Sequence, residues 1–233
     1  MTVLAYRTAF IVGAGTGLGA SLARVLKGEG FQVALAARDA RKLDGLAAET
    51  GAIAVAADAS DPESLKAAFR HVDRELGPPD VVIYNASSRV RGPFIDLDAV
   101  AVRGALEVTA YGGFLVAQEA ARRMVPRGSG AILFTGASAS VKGYAQSAPF
   151  AMGKFALRGL AQSIARELAP RGIHVAHFVI DGGIRSASRE APAGAPDSLL
   201  DPDAVARTYL DILRQDRSAW TWEIELRPWV EKF

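Results

Sequence analysis

Short apolar segments alternate along the chain with longer segments in which apolar residues recur every three or four positions. The short segments predict strands at residues 9–12, 32–36, 53–57, 81–84, 131–135, 174–180 and 220–226. The longer segments predict helices at residues 17–29, 39–49, 61–76, 99–125, 148–169 and 201–215. Continuously apolar strands joined by crossover helices imply a parallel sheet that is covered on both faces. The pattern therefore predicts a doubly wound α/β fold.

Length and composition indicate one ordinary globular domain. The 233 residues favour a single domain over 1–233, with 22% charged and 50% hydrophobic residues and a net charge of +2. The segment 186–200, which contains Pro and Gly, is interpreted as a mobile surface loop that borders the substrate site.

The same composition excludes several classes of partner and chemistry. No run of five basic residues occurs, so we expect no nucleic acid partner. No apolar run approaches the roughly 18 residues that cross a bilayer, so we expect no membrane association. The first ten residues lack a signal peptide's apolar stretch, which predicts a cytoplasmic protein. The absence of cysteine excludes disulfides and thiolate zinc sites, and we expect no metal.

A glycine-rich turn, Gly13-Ala14-Gly15-Thr16-Gly17-Leu18-Gly19, follows the first strand. Glycines allow positive φ angles and close approach to a pyrophosphate, whose charge the N–H groups at a helix start attract. At the first strand–helix junction of a parallel sheet, such a turn indicates dinucleotide binding. Two registers fit, G-x-G-x-x-A beginning at Gly15 and G-x-x-x-G-x-G beginning at Gly13. We favour the second because its first glycine directly follows the strand.

The second register and four further features resemble the short-chain dehydrogenase/reductase family over nearly the whole chain. They are Asp58 after the third strand, Asn85-Ala86 after the fourth, Lys154 in a long helix, and Gly182 with Ile184 and Ser186 after the sixth. The resemblance implies a nicotinamide-binding Rossmann domain with strand order 3-2-1-4-5-6-7. It also implies that Asp58 holds the adenine, that Asn85-Ala86 line the adenine ribose side, and that Ile184 and Ser186 hold the carboxamide. The cofactor residues implied are Gly13, Thr16, Gly17, Leu18, Gly19, Asp58, Ala59, Asn85, Ala86, Lys154, Gly182, Ile184 and Ser186.

The end of the second strand bears on which nicotinamide cofactor is bound. An acidic residue there bonds the ribose 2′-hydroxyl and repels a 2′-phosphate. Here the strand ends in Ala36-Ala37-Arg38, and a guanidinium forms charge-assisted bonds with phosphate. We therefore predict that NADP(H) is preferred over NAD(H). The alternative is that Arg38 is a solvated surface residue, and the neighbouring Asp39 weakens the prediction.

The catalytic positions depart from the family pattern. In the family, the Tyr of Tyr-x-x-x-Lys handles the hydroxyl proton, the Lys lowers its pKa and binds the nicotinamide ribose, and a Ser thirteen residues earlier orients the substrate oxygen. This chain has Phe150 at the Tyr position and Ala137 at the Ser position, with Ser138 next to it. The family Asn corresponds to Thr109. Lys154 alone is retained without ambiguity.

Four residues are candidates for the missing catalytic chemistry. They are Lys154 acting through water with a pKa lowered by burial, Ser138, Tyr144, and Asp181, which replaces a Pro of the family pattern. Tyr144 has the alternative role of a pocket wall. Asp181 has the alternative of a turn in which it bonds its own backbone. A nearby pair, Arg89 and Arg91, either captures an acidic substrate or is merely solvated.

Two functions follow from these observations. The leading one is an NADPH-dependent oxidoreductase that acts on a small-molecule carbonyl or alcohol with altered proton delivery. The alternative is a catalytically silent pseudoenzyme that binds NADP(H) as a sensor or interaction subunit, with Phe150 as an apolar plug. By analogy with the family we expect a homodimer or homotetramer formed through helices 99–125 and 148–169. The apolar stripe on the second helix could equally face its own sheet.

Overall fold

The computed structural model describes residues 6–186 and 189–231, which form a seven-stranded, all-parallel sheet. Its strands are β1 (Thr8–Val12), β2 (Gln32–Ala37), β3 (Ile53–Ala56), β4 (Val81–Tyr84), β5 (Gly130–Thr135), β6 (Ile173–Ile180) and β9 (Glu223–Leu226). Their order is β3-β2-β1-β4-β5-β6-β9. The predicted doubly wound fold and strand order are confirmed.

Helices cover both faces of the sheet. They are α1 (Leu18–Gly28), α2 (Asp44–Thr50), α3 (Pro62–Leu76), α4 (Ala99–Leu106), α5 (Gly112–Met124), α6 (Ala148–Leu168) and α7 (Pro202–Leu213). In β1, Phe10 and Val12 pack toward α3, α5 and α6, whereas Ala9 and Ile11 pack toward α1 and α7. Because successive side chains of a strand point to opposite faces, each buried strand supplies two cores. This explains why the strands are continuously apolar.

Several predicted boundaries differ in the structure. The predicted helix 99–125 contains a π-helical turn at Glu107–Tyr111 between α4 and α5. The predicted helix 39–49 begins as a 3₁₀ turn, Ala40–Leu43, whose first amides are capped by the Asp39 carboxylate. The last strand is shorter than predicted, and Trp220 before it stacks on His174 with ring centroids 4.6 Å apart.

The end of the predicted loop 186–200 is partly ordered by strand pairing. Leu199–Leu200 (β8) pairs in parallel with Gly183–Ile184 (β7). Residues 187 and 188 lie outside the described residues. The loop therefore returns to the segment that follows β6, at the edge of the sheet where the candidate site lies.

The helical run Ala99–Arg127 is long and apolar enough, by length and composition, to cross a membrane. This differs from the sequence-based expectation that no such segment exists. Within the fold, Val116, Ala120 and Met124 of α5 are buried against the sheet. Core packing therefore accounts for part of the apolar character of this run, of whose most apolar window 28% is buried.

The apolar stripe of α6 faces the chain's own sheet. Leu157 and Leu168 are buried in the core, and Leu160 and Ile164 pack against it while partly exposed. This decides the alternative that the sequence left open. Other large apolar side chains remain exposed, Met152 and Phe155 on α6 itself and Tyr111 and Phe114 on the π-helical turn and α5.

Candidate active site

The glycine turn after β1 is held against the turn after β4. Gly13 has φ +87°, and a Cβ at this position would lie 2.3 Å from the backbone nitrogen of Ala86. The Asn85 side-chain amide donates to the Gly13 carbonyl over 2.9 Å. Only glycine suits both the dihedral angle and the contact, which supports the register that begins at Gly13.

The rest of the glycine-rich turn borders a large, open cleft. A Cβ at Gly15 or Gly17 would meet no atom within 4 Å, whereas at Gly19 it would lie 3.0 Å from Ala14 Cα. Gly17 is the N-cap of α1 and has no side chain to bond the first helical amides. Thr16 is exposed at the tip of the turn, and Leu18 is buried. These free amides and the open space fit a bound pyrophosphate.

A cavity of about 610 Å³ extends from this turn along the carboxyl ends of β1, β2 and β4, and we call it the dinucleotide cavity. Its lining includes Gly13, Arg38, Lys42, Asp58, Ala59, Asn85 and Ala86. Asp58 Oδ1 accepts hydrogen bonds from the Ser60 backbone nitrogen (2.9 Å) and hydroxyl (2.6 Å). These bonds, with the charge of Arg38, lower the pKa of the Asp58 carboxyl. The Asp58 carboxylate is therefore an ionised hydrogen-bond acceptor at the end of the cavity where the adenine is expected.

Two cations line the cavity at the end of β2. Arg38 is exposed and forms no ion pair with any residue in the described ranges, and Lys42 lies beside it in the lining. The neighbouring Asp39 carboxylate is turned to Arg41, accepting from its Nε (2.9 Å) and backbone nitrogen (3.2 Å). The hydrogen bond from Arg41 lowers the pKa of Asp39. The carboxylate that weakened the NADP(H) prediction is thus paired with Arg41, although Asp39 also belongs to the lining of the dinucleotide cavity.

Lys154 lies at the other end of the cleft in a smaller space, which we call the inner cavity. This cavity has a volume of about 260 Å³ and is lined by Leu18, Asn85, Ser87, Arg89, Thr135, Gly136, Ala137, Phe150, Lys154, Ile180, Gly182, Ile184 and Arg189. Lys154 is 2% exposed, and its Nζ donates to the Thr135 carbonyl over 2.6 Å. Burial, with the nearby charge of Arg89, lowers the pKa of Lys154 to about 7. The amine therefore changes its charge near neutral pH.

Phe150 forms an apolar wall of the inner cavity. It is 7% exposed and packs with Ala137 and Ala139. The Arg89 guanidinium carbon lies 4.1 Å from the ring centroid, and Lys154 Nζ lies 5.8 Å from it. A guanidinium over an aromatic face is stabilised by the ring quadrupole. The ring at this position thus lies close to two basic groups.

The other three catalytic candidates lie together in an adjoining space, which we call the outer cavity. It has a volume of about 350 Å³ and is lined by Arg89, Arg91, Ala137, Ser138, Ala139, Tyr144, Ser147, Phe150, Ile180, Asp181, Gly182, Gly183, Arg189 and Glu231. Ser138 lines this cavity only, whereas Ala137 lines both the inner and the outer cavity. Ser138 therefore does not take over the position of Ala137. Tyr144 is 45% exposed and has Lys142 Nζ 5.7 Å from its ring centroid.

Asp181 is held by two cations. Its carboxylate lies 3.5 Å from Lys142 Nζ and 3.4 Å from Arg227 Nη2. These ion pairs with residues distant in sequence stand in place of the predicted turn in which Asp181 bonds its own backbone. Asp181 thereby ties the segment after β6 to the loop after β5 and to the end of β9.

The cofactor residues predicted after β6 lie at the edge of the inner cavity. Gly182 and Ile184 line it, and a Cβ at Gly182 would lie 2.7 Å from Pro228 Cδ. Ser186 forms a backbone bridge with Arg189. In the described part of the chain, no three His, Asp or Glu side chains are grouped as a metal site.

Comparison with known proteins places these features in a family. A model of the short chain dehydrogenase family matches residues 7–191. The chain belongs to this family. It is 36% identical to a short-chain dehydrogenase from Rhodopseudomonas palustris of known structure, with a TM-score of 0.85, covering 96% of this chain and 99% of that one. It is 27% identical to an uncharacterised oxidoreductase of Staphylococcus aureus (strain N315), covering 98% of this chain and all of that protein.

A third similar protein is a metagenomic short-chain oxidoreductase whose structure was solved with NADP. It is 25% identical, with a TM-score of 0.84, and the alignment covers 97% of this chain and 99% of that one. Short-chain dehydrogenases bind nicotinamide cofactors, and the dinucleotide cavity provides the corresponding cleft here. The expected oxidoreductase family and the Rossmann fold are confirmed.

Thr109 is the residue that the sequence comparison with the family pattern aligned with its Asn. Thr109 lies in the π-helical turn, where its hydroxyl accepts from the Ser88 backbone nitrogen (3.0 Å). A Cβ at Gly153 would lie 2.9 Å from Thr109 Cβ, so α6 approaches this turn closely. Thr109 therefore anchors the loop after β4 immediately before Arg89. The sequence did not reveal this role, since a hydrogen bond to a loop backbone leaves no periodic signal.

Proposed function

We propose that this chain is an oxidoreductase that transfers hydride between NADP(H) and a small carbonyl compound or alcohol. The observation that carries the cofactor preference is the pair of cations, Arg38 and Lys42, in the lining of the dinucleotide cavity, with Asp39 bound to Arg41. A guanidinium and an ammonium suit a 2′-phosphate. The one carboxylate at this end of the described lining, Asp39, is paired with Arg41, which offsets its repulsion of a phosphate. The NADP-bound relative adds support for the cofactor class.

A bound nicotinamide dinucleotide supplies or accepts the hydride in this chemistry. The chain's own contribution is the proton, which we assign to Lys154. Its pKa of about 7 leaves both the ammonium and the neutral amine populated at neutral pH, as suits a general acid and base. Reduction consumes the ammonium proton at the substrate oxygen, and oxidation returns a proton to the neutral amine.

Replacing Arg38 by glutamine tests the cofactor preference. We expect Arg38→Gln to weaken NADPH binding roughly 10- to 100-fold, because one charge-assisted contact to the 2′-phosphate is lost. NADH binding is expected to change less than about twofold, since NADH lacks this phosphate. Calorimetric titration of the wild type and the variant with both cofactors measures the difference.

The control for this experiment is Arg70→Gln, which removes an equal charge from an exposed position on α3. It should leave both affinities unchanged. Equal NADPH and NADH affinities in the wild type would refute the preference, as would an equal loss of both affinities in Arg38→Gln.

Phe150 also favours a second candidate function, a pseudoenzyme that binds NADP(H) without turnover. Its ring is packed with Ala137 and Ala139 and covered by Arg89, so two polar groups of the family's catalytic set are replaced by apolar ones. Turnover of a panel of carbonyl compounds distinguishes the two functions. A protein that binds NADPH and reduces none of them would be the pseudoenzyme.

We also propose that the chain forms a homodimer or homotetramer through an apolar surface comprising Tyr111, Phe114, Met152 and Phe155. Tyr111 and Phe114 stack with ring centroids 6.2 Å apart, and all four side chains are exposed. We expect Phe155→Asp to shift the protein toward monomer, since a buried carboxylate without a partner is costly. Light scattering coupled to size exclusion measures the mass. The control Phe94→Asp, at an exposed Phe outside this surface, should leave the mass unchanged.

A further inference from the structure

Three guanidinium groups surround the outer cavity. Arg89, Arg91 and Arg189 all belong to its lining. In the part of the chain that the structure describes, none of the three is within an ion-pair distance of a carboxylate. Two carboxylates do line the cavity. Asp181 is already paired with Lys142 and Arg227, and Glu231 is exposed.

Arg89 is held in a defined place by the fold. Both Thr109 hydrogen bonds go to Ser88, the residue before it, with the hydroxyl accepting from the backbone nitrogen at 3.0 Å and donating to the carbonyl at 3.4 Å. The guanidinium then lies over the Phe150 ring, at 4.1 Å from the centroid. Stacking uses the flat face of the group and leaves the N–H donors at its edge for a ligand. Arg89 lines both cavities and so lies between Lys154 and the outer cavity.

The charges of this group repel one another. Arg89, Arg91 and Arg189 are all exposed to solvent at the mouth of the cavity. Partial desolvation lowers the pKa of Arg89, and the charges of Arg189 and Arg91 lower it further. Like charges gathered at a cavity without partners raise the free energy of the empty site. An anion bound among them would remove that repulsion and gain charge-assisted hydrogen bonds.

The dinucleotide's own phosphates do not account for this group. The outer cavity shares six lining residues with the inner cavity, Arg89, Ala137, Phe150, Ile180, Gly182 and Arg189, and none with the dinucleotide cavity. Arg38, Lys42 and the glycine turn lie in or beside the dinucleotide cavity. The three arginines thus adjoin the space beside Lys154, where a substrate must lie.

We propose that the substrate carries an anionic oxygen group, a carboxylate or a phosphate, which Arg89, Arg91 and Arg189 bind in the outer cavity while the reacting carbonyl or alcohol lies beside Lys154. This inference rests on the proposed oxidoreductase function and names its substrate class. A cavity of about 350 Å³ restricts the substrate to a small molecule. The arginines are specificity residues and take no part in proton transfer.

The kinetic test compares matched pairs of substrates. Oxo acids with increasing numbers of methylenes between the carbonyl and the carboxylate are assayed beside their methyl esters, and oxo phosphate monoesters beside their neutral alcohols. We expect kcat/KM to be at least about 10-fold higher for the anionic member of the best pair, and this preference to fall with added salt. Comparison of the two series identifies which anion the site prefers.

A binding test is independent of turnover. The protein saturated with NADP+ is titrated calorimetrically with malonate and with inorganic phosphate. We expect Arg91→Gln and Arg189→Gln each to weaken binding of the preferred anion roughly 10- to 100-fold. The control Arg171→Gln removes an exposed arginine just before β6, at the opposite edge of the sheet, and should change nothing.

The outcomes separate this inference from the proposed function. Esters reduced as efficiently as acids, or anion affinity unchanged in both arginine variants, would overturn the inference while leaving the oxidoreductase function intact. A protein that binds neither NADPH nor NADH would refute the proposed function. In that case the anion titration of the protein alone still decides whether the three arginines form an anion site.

Discussion

Lys154→Met is expected to lower the rate of carbonyl reduction by about 10²- to 10⁴-fold, the usual contribution of a positioned general acid. The reason is that Lys154 is the one ionisable group of the family's catalytic set that this chain retains, and it changes charge near pH 7. NADPH affinity, measured separately by calorimetry, is expected to fall less than the rate does. Single-turnover kinetics at saturating NADPH then report the loss of the proton donor directly.

The same substitution should stabilise the protein, because it removes a buried group whose charged form is disfavoured in the native state. The pKa of Lys154 falls from 10.5 to about 7 on folding, so the charged form is disfavoured in the native state. At about 1.4 kcal/mol per pKa unit, the cost is on the order of 5 kcal/mol below pH 7. It diminishes as the pH rises toward 10.5, since the unfolded chain then releases its proton too. Allowing for the lost bond to Thr135, the gain from methionine is about 3 kcal/mol near pH 6 and vanishes near pH 10.

The lowered pKa of Lys154 also predicts how the wild-type turnover rate changes with pH. Reduction requires the ammonium form and should decline as the pH rises through about 7, whereas oxidation requires the neutral amine and should increase over that range.

Lys66→Met, at an exposed lysine paired with Glu63, is the control for the stability measurement by urea denaturation. It should change the free energy of unfolding by less than about 0.5 kcal/mol. A reduction rate that is flat from pH 6 to 9, or full activity in Lys154→Met, would contradict the role of this lysine.

The parts of the site that sequence reasoning predicted are those that a local backbone requirement dictates. Gly13 must follow β1 because its φ angle and its contact with Ala86 both exclude a Cβ. The doubly wound fold follows from apolar strands joined by crossover helices, whereas the strand order was implied by the resemblance to the short-chain dehydrogenase/reductase family. Lys154 was identified because it matches the Lys of the family's Tyr-x-x-x-Lys pattern within one helix.

The remaining features depend on contacts between segments that are distant in sequence. Arg89 lies in an aperiodic loop, and its place over Phe150 depends on Thr109, twenty-one residues beyond Ser88. Asp181 is held by Lys142 and Arg227, which come from two other parts of the chain. Such pairings follow from tertiary packing, so a single sequence gave only candidate residues for them. The orientation of the Asp39 carboxylate likewise depends on the 3₁₀ turn that begins at Ala40, because the carboxylate accepts a hydrogen bond from a backbone nitrogen of that turn.

Restoring the family residues in Phe150→Tyr/Ala137→Ser is expected to raise the rate of carbonyl reduction by about 10²- to 10⁴-fold. Phe150 and Ala137 both line the inner cavity beside Lys154, so both hydroxyls would be added where the substrate oxygen must lie. The charges of Lys154 and Arg89 near the ring would lower the pKa of the new phenol and favour its role as proton carrier. Steady-state rates of the double variant and of each single variant measure the gain.

Two further measurements make this result specific. Adding Lys154→Met to the double variant should remove most of the gain if the phenol depends on the ammonium, and NADPH affinity should stay within about twofold throughout the series. Activity that arises only in the double variant would identify the natural protein as the pseudoenzyme. An unchanged rate with intact cofactor binding would contradict the expectation, and it would mean that the missing hydroxyls do not limit turnover.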